Sequence, residues 1–339
     1  MVALLSDIGG TNIRFSILEG DEISAVEYYK TSDFKNIETA LEHYLNQINK
    51  HPEKMVFGVA GLVQDGCVKL TNADFEVNQK TLETLYPKSK IKIVNDFILQ
   101  GYGVLTVDKK DLRAIGDITK EGAGHKVVLG PGTGLGSCFL IDEGNGSCLI
   151  LSSESGHTSL APVSPNQQKI LSELTKEEMP LSFEDVISGS GLCRLYQAIS
   201  KIHHLAPDSL WLKEVEEMKQ AFSVSELKES LFMPLRPKEI TLLAEKEEEI
   251  ALLTFWYFFE FLGIYASNLA LTLKSDGGVY LVGNLLNQPV IRKLLIKSGF
   301  RKFFDFKGVF SNYMKNVPVF LVEKTSIQMD GLVYISKML

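Results

Sequence analysis

The sequence predicts an α/β protein of two lobes built on a duplicated plan, and three observations carry that expectation. Strand-like and helix-like segments alternate along the chain. A glycine-rich turn between two apolar runs occurs twice, in ALLSDIGGTNIRFSILEG (residues 3–20) and in KVVLGPGTGLGSCFLI (residues 126–141). The length, 339 residues, exceeds what one hydrophobic core usually supports, so the chain divides.

In chain order, residues 2–7, 13–18 and 24–30 read as consecutive strands joined by glycine-bearing turns. FKNIETALEHYLNQINK spaces its apolar residues as an amphipathic helix does. KMVFGVAG, CVKLTN and IKIVND are strand-like again, and residues 126–141 repeat the opening hairpin. The stretch ALLTFWYFFEFLGIYASNLALTLK from Ala251 is long enough to span a bilayer. It carries Glu260, Ser267 and Asn268, however, and follows the charged run Glu245-Lys246-Glu247-Glu248-Glu249, which predicts the buried helix of a large lobe.

Composition excludes several functional classes. A net charge of −7 with no cluster of Lys and Arg argues against a nucleic-acid partner, whose phosphates need clustered cations. Small anions stay admissible, because backbone N–H groups and a metal ion hold them without a basic surface. Cys67, Cys138, Cys148 and Cys193 are scattered without a C-x-x-C pair, the pattern of reduced thiols in a cytoplasmic protein. MVALLSDIGG has no basic n-region and reaches Asp-Ile-Gly-Gly too early for a signal peptide. Neither a membrane nor a nucleic acid is therefore an expected partner.

The opening turn gathers chemistry suited to a polyphosphate. Gly9 and Gly10 permit positive φ and leave no Cβ between backbone N–H groups and a ligand. Thr11 and Asn12 add side-chain donors, Arg14 a cation, and Asp7 a carboxylate for a hydrated Mg²⁺. The second turn offers Gly132, Thr133 and Gly134. Neither turn ends in Gly-Lys-Ser/Thr, and GPGTGLG puts Leu135 where a dinucleotide fingerprint has its third glycine. A lone glycine hairpin is often only a tight turn; two in a duplicated pattern, with Asp7 beside the first, point to phosphate.

Asn95 and Asp96 end the apolar strand IKIVND, where α/β proteins place their chemistry. A carboxylate there can take a proton from a hydroxyl that attacks a phosphoryl group; the alternative is that Asp96 caps the next segment. Glu154 and His157 in SESGH can converge from one turn, and Glu184 in FEDVISGSG can join them from a helix start. Such groups suit sugar hydroxyls, which both donate and accept; zinc is the competing reading and lacks further ligands nearby. His203 and His204 read as part of a polar connection, and His43 and His51 lie on or just after the amphipathic helix.

Taken in order, SDIGGTNIRFSI, IVNDF, LGPGTGLGSCFL, ESGH, FEDVISGSGL, SNLALTL and GGVYLVGNL resemble the bacterial-type glucokinases of the hexokinase, actin and heat-shock ATPase superfamily, almost from end to end. The resemblance implies an actin-like ATPase (ribonuclease H-like, duplicated) fold. A small α/β lobe would comprise residues 1–106 plus 325–339, and a larger α+β lobe residues 107–324, with a cleft that closes on glucose. It implies that Asp7, Gly9, Gly10, Thr11, Asn12 and Arg14 form the first phosphate segment and Gly132, Thr133 and Gly134 the second. Asp96 would be the general base, Asn95, Glu154, His157 and Glu184 would hold the sugar together with it, and Gly283 and Asn284 would meet the adenosine of ATP. The implied reaction is ATP- and Mg²⁺-dependent phosphorylation of the glucose 6-hydroxyl, feeding glycolysis, by a cytoplasmic homodimer.

Three positions depart from the family pattern: Asn284 and Ser155 stand where glycine is common, and Pro131 where a small residue is. After His157 there is no Cys-rich block, only Cys193, which separates the chain from the zinc-containing branch, and no amino-terminal helix-turn-helix marks a repressor. A kinase for another hexose or an N-acyl hexosamine, a sugar sensor without turnover, and an actin-like filament protein are the alternatives. Retention of Asp7 and Asp96 speaks against the second, and the sugar cluster against the third.

Overall fold

A computed structural model describes residues 2–70, 75–175, 180–205, 207–223 and 236–339. The chain forms two compact units, Met1–Asp108 with Ser326–Leu339, and Lys109–Thr325.

The first unit contains β1 (Val2–Ile8), β2 (Asn12–Glu19), β3 (Glu22–Lys30), β4 (Lys54–Val59), β5 (Cys67–Lys69), β6 (Glu76–Asn78) and β7 (Lys90–Asn95). Five of these make one sheet in the order β3-β2-β1-β4-β7, with β5 and β6 paired separately. The β1–β2 and β2–β3 pairs are antiparallel, β1–β4 and β4–β7 parallel. Every residue of β4 is buried, as expected of a parallel strand covered on both faces. Its Lys54 satisfies that burial by donating Nζ to the Ser336 carbonyl at 2.8 Å.

Helix α1 (Ile37–Ile48) begins where the Asn36 side chain accepts the Thr39 amide and ends at Asn49 in the left-handed region. Its apolar stripe, including Ile37, Leu41 and Tyr44, packs on one face of the sheet. Helix α2 (Gln79–Leu85) is capped by Asn78. Helix α3 (Asp96–Thr106) and the C-terminal helix (Ile327–Met338) meet through glycines. A Cβ on Gly103 would fall 2.2 Å from the Ile327 carbonyl oxygen, and one on Gly331 would fall 2.1 Å from that of Leu99. Of the strand-like CVKLTN, Thr71 and Asn72 lie outside the described residues.

The second unit repeats the plan. Its strands are β8 (Leu112–Ala114), β9 (Lys126–Pro131), β10 (Leu135–Asp142), β11 (Cys148–Ser153), β12 (Gly278–Leu281) and β13 (Val319–Val322). They are ordered β11-β10-β9-β12-β13-β8. Here too an antiparallel trio, β9, β10 and β11, is followed by the parallel pairs β9–β12 and β12–β13. Only β8, antiparallel to β13, is added at the far edge. The two glycine turns therefore join equivalent strands, β1 to β2 and β9 to β10.

Around this sheet lie α4 (Pro165–Leu174), α5 (Gly189–Leu205), α6 (Ser209–Phe222), α7 (Pro237–Glu245), α8 (Glu249–Leu273), α9 (Asn284–Asn287), α10 (Pro289–Lys297) and α11 (Phe300–Asp305). Helix α8 starts where the Glu248 side chain accepts the Ala251 amide and stops at Lys274, whose φ is 53°. It is the one described helix long and apolar enough to cross a membrane, and its apolar window is wholly buried in the core of the second unit. Each large side chain there contributes about 1.5–3 kcal/mol by leaving water, which explains an all-round apolar helix without a bilayer. His203 and His204 correct the sequence reading: they form the last turn of α5, where the His203 ring accepts the Trp211 indole N–H at 3.2 Å.

Candidate active site

In the first unit, antiparallel register sets Asp7 of β1 directly opposite Arg14 of β2. Arg14 Nη2 donates to Asp7 Oδ2 at 3.2 Å. Burial pushes the Asp7 carboxyl above its usual range, and the guanidinium partly opposes that shift. Arg14 Nε is buried with no hydrogen-bond partner among the described residues, a donor left for an anion. The turn between the strands is closed by Gly9 N–H donating to the Asn12 carbonyl at 2.9 Å, and Thr31 Oγ1 donates to the Gly9 carbonyl at 2.8 Å. Thr11 and Asn12 are exposed at its tip, and the Thr11 carbonyl accepts the Thr31 amide.

Asn95 and Asp96 sit at the junction of β7 and α3. Asn95 is the helix cap: Oδ1 accepts the Phe97 amide at 2.8 Å, and Nδ2 donates to the Gly61 carbonyl at 2.9 Å. The capping role that the sequence left open for Asp96 thus falls mainly to its neighbour. Asp96 is the first helical residue, half-buried, with Oδ1 also accepting the Phe97 amide at 3.0 Å.

In the second unit the phosphate-type turn and the sugar-type carboxylate are interlocked. Glu184 Oε2 accepts the Leu135 amide at 2.7 Å, and a Cβ on Gly134 would lie 2.6 Å from that oxygen. The Glu184 amide in turn donates to the Gly156 carbonyl at 2.9 Å, while a Cβ on Gly156 would lie 2.3 Å from the Leu135 carbonyl oxygen. Glu154 precedes the 3-10 turn Ser155–His157 that carries His157, and its carbonyl accepts the His157 amide at 3.1 Å. His157 Nε2 stands 3.9 Å from Glu184 Oε1, and both Glu154 and His157 are exposed. Glu184 itself lies in a turn five residues before α5, not at the helix start that its sequence context predicts. The Phe183 carbonyl, occupied by the Val186 and Ile187 amides, ties that segment into a turn of its own.

Positive φ is not what glycine supplies in these two turns. Gly9, Gly10, Gly132 and Gly134 are all absent from the left-handed region, which Gly283 occupies at φ 120°. Close approach is the reason at Gly134, whereas Cβ atoms on Gly9 and Gly132 would meet only a backbone oxygen at ordinary contact distance, 3.6 Å from that of Asn12 and 4.0 Å from that of Gly134. At Gly283 both constraints act, since its Cβ would also fall 3.0 Å from the Pro131 carbonyl oxygen. Asn284, the next residue, is exposed at the start of α9.

Sequence reading missed a cavity of about 380 Å³ lined by Pro237, Lys238, Thr241, Leu242, Glu245, Leu285 and Gln288. It adjoins Asn284 through α9, and it adjoins Gly132 through Gly189, whose amide donates to the Gly132 carbonyl at 2.9 Å and whose Cβ would meet Pro237 at 3.5 Å. Its walls come from α7, α9 and the start of α10, of which α7 and α10 open on Pro237 and Pro289. Ser137 and Tyr265, both buried beside the Glu154–His157 turn, were missed as well, because each reads as an ordinary position of an apolar strand or helix.

Two sheets of one plan, each with a glycine turn between the first two strands of its antiparallel trio, define the actin-like ATPase fold. Within it, the chain belongs to the glucokinase family, whose model matches residues 4–338. It is 32% identical over 334 residues to a glucokinase of Helicobacter pylori (97% of this chain, 93% of that one). It is 31% identical over 328 residues to a glucokinase of Caulobacter vibrioides (95% of this chain, 91% of that one). The crystal structure of a glucokinase from an Antarctic psychrotroph superposes with a TM-score of 0.80 at 29% identity, covering 100% of this chain and 99% of that one.

Proposed function

We propose that the chain transfers the γ-phosphoryl group of ATP to the 6-hydroxyl of glucose, releasing ADP and glucose 6-phosphate. The observation that carries this reading is the bond from the Leu135 amide to Glu184 Oε2, which locks a carboxylate suited to sugar hydroxyls onto a turn suited to phosphate. Asp96 takes the proton of the attacking hydroxyl. Asn95, Glu154, His157 and Glu184 hold the sugar ring through hydrogen bonds to its hydroxyls. Gly9, Gly10, Thr11, Asn12 and Arg14 form one segment for phosphate oxygens, and Gly132, Thr133 and Gly134 form a second. Gly283, Asn284 and the cavity beside them take the adenosine.

The residues fit Mg²⁺ in the manner of nucleotide kinases. Among the described residues no cluster of three or more His, Cys, Asp or Glu could cage a metal ion, whereas Asp7 offers one carboxylate, as an ion that keeps most of its waters requires. When bound through water at Asp7, Mg²⁺ would neutralise charge on the β- and γ-phosphates. We place the enzyme in the cytoplasm, a compartment that suits its four free cysteines, as a homodimer. The exposed Phe306, Val309 and Phe310 of the second unit are the kind of apolar surface that association covers. Light scattering should give twice the mass of the 37.7 kDa chain, and the chain mass alone would contradict the dimer. Release of ADP from ATP and Mg²⁺ that depends on added glucose tests the reaction; ADP release indifferent to glucose would reject it.

A further inference from the structure

The turn that carries Glu154 and His157 is held from below by three hydroxyls that the reaction itself does not use. Tyr265, from the middle of α8, is fully buried, and its phenol oxygen lies 2.7 Å from Ser155 Oγ. Ser155 Oγ lies 2.7 Å from Ser137 Oγ, and Ser137 Oγ donates to the Ser153 carbonyl at 3.3 Å. A carbonyl only accepts, so the proton of each hydroxyl is assigned in turn. Ser137 donates to the carbonyl, Ser155 to Ser137, and Tyr265 to Ser155. The chain of bonds therefore runs one way, from the core helix to the strand edge.

The backbone of Ser155 is fixed as firmly. Its amide donates to Ser153 Oγ at 3.2 Å, and its carbonyl accepts from Thr158 N at 3.0 Å and Thr158 Oγ1 at 2.7 Å. The Tyr265 ring also packs against Phe183, centroid to centroid at 5.1 Å, and Phe183 immediately precedes Glu184. One side chain of α8 thus touches both second-unit segments that present sugar-type residues, bonding to the residue between Glu154 and His157 and packing on the neighbour of Glu184. Burial pushes the phenol upward, against the bonds to Ser137 and Ser155, and the Glu184 and Glu154 carboxylates add to the rise, so the proton the chain needs stays on Tyr265.

We propose that Tyr265, acting through Ser155 and Ser137, is the positioning residue that sets the glucose affinity of the Glu154–His157 turn. The inference rests on the reading of that turn as a sugar site. A hydroxyl at position 155 gives the turn an anchor in the core, where glycine would give it none. Orientation of ligands by a buried hydrogen-bonded support is a general requirement of tight, specific sites, since a displacement of about 1 Å is felt in binding and rate.

Steady-state kinetics of Tyr265→Phe, Ser155→Ala and the double variant, with melting temperatures and with His157→Ala alongside, provide the test. Removing the phenol oxygen should raise the glucose KM roughly three- to tenfold, the range for one lost hydrogen bond, with kcat and the ATP KM within about twofold of wild type. Ser155→Ala should do the same, and the double variant should cost little more than either single change, because both cut one chain. A response to His157→Ala with none to Tyr265→Phe or Ser155→Ala would overturn the proposal and leave the sugar site standing. A glucose KM indifferent to His157→Ala would overturn the sugar-site reading and the proposal with it. Lower melting temperatures with an unchanged glucose KM would make the three hydroxyls structural only.

Discussion

Gly134 shows how one residue serves two ligands. It belongs to a turn read from sequence as phosphate-binding, yet its missing side chain makes room for Glu184 Oε2. Gly134→Ala should therefore push that carboxylate off the Leu135 amide and weaken glucose binding, at about 1.5–3 kcal/mol for a charged hydrogen bond, in addition to any effect on ATP. Calorimetry with glucose alone, without nucleotide, checks this; unchanged glucose affinity would show that the two turns are not coupled. Asp96 has a different signature. Asp96→Asn preserves shape but cannot accept the substrate proton, so kcat should fall roughly 10²–10⁴-fold while glucose binding by calorimetry is largely retained. Near-normal turnover would remove Asp96 from the chemistry. The residue types at these positions were legible because the glycine turn recurs twice between apolar runs and the carboxylates interrupt apolar or small-residue stretches. The supporting hydroxyls of Ser137 and Tyr265 were not, since serine in a strand and tyrosine in an apolar helix are common, and only the folded chain brings them together.

At the scale of elements, the hairpins and α8 were readable because each repeats one local pattern, alternation around a glycine turn or an unbroken apolar run. Glu184 was misplaced for a physical reason: FEDVISGSG carries acidic and small residues typical of a helix start, but the Phe183 carbonyl closes a separate turn before α5 begins at Gly189. Glu260 in α8 was read as an argument against a membrane span, and the fold shows what else it does. Gln167 Nε2 donates to its Oε2 at 2.8 Å, while Glu214, held by Asn166 and Tyr257, lies alongside. Burial and then the Glu214 charge hold the Glu260 carboxyl well above its ordinary value, outweighing the Gln167 bond and the Lys302 charge. Its folded value is raised, so the stability it contributes is complete below the unfolded value and is lost as pH rises through the folded one. Glu260→Gln abolishes this titration. The melting temperature of that variant, relative to wild type, should therefore climb as pH rises above the usual glutamate range. A difference that stays constant with pH would mean that Glu260 is ionised in the fold.

For the whole molecule, the duplicated plan was the most legible feature, because the two glycine hairpins announce equivalent strands in the two sheets. Much of the helical part of the second unit was not read, since α4 to α7 are ordinary amphipathic helices whose packing partners are fixed only by the core they share with α8. Sugar choice is a whole-site property that no single residue announces, as hydroxyl-binding carboxylates serve many hexoses equally well. The central claim is therefore tested most directly by steady-state ADP formation from ATP and Mg²⁺ over a panel of glucose, mannose, fructose and N-acetylglucosamine. The account predicts the highest kcat/KM for glucose, with product phosphorylated at the 6-hydroxyl. A higher kcat/KM for another sugar of the panel, or turnover without any sugar, would contradict it.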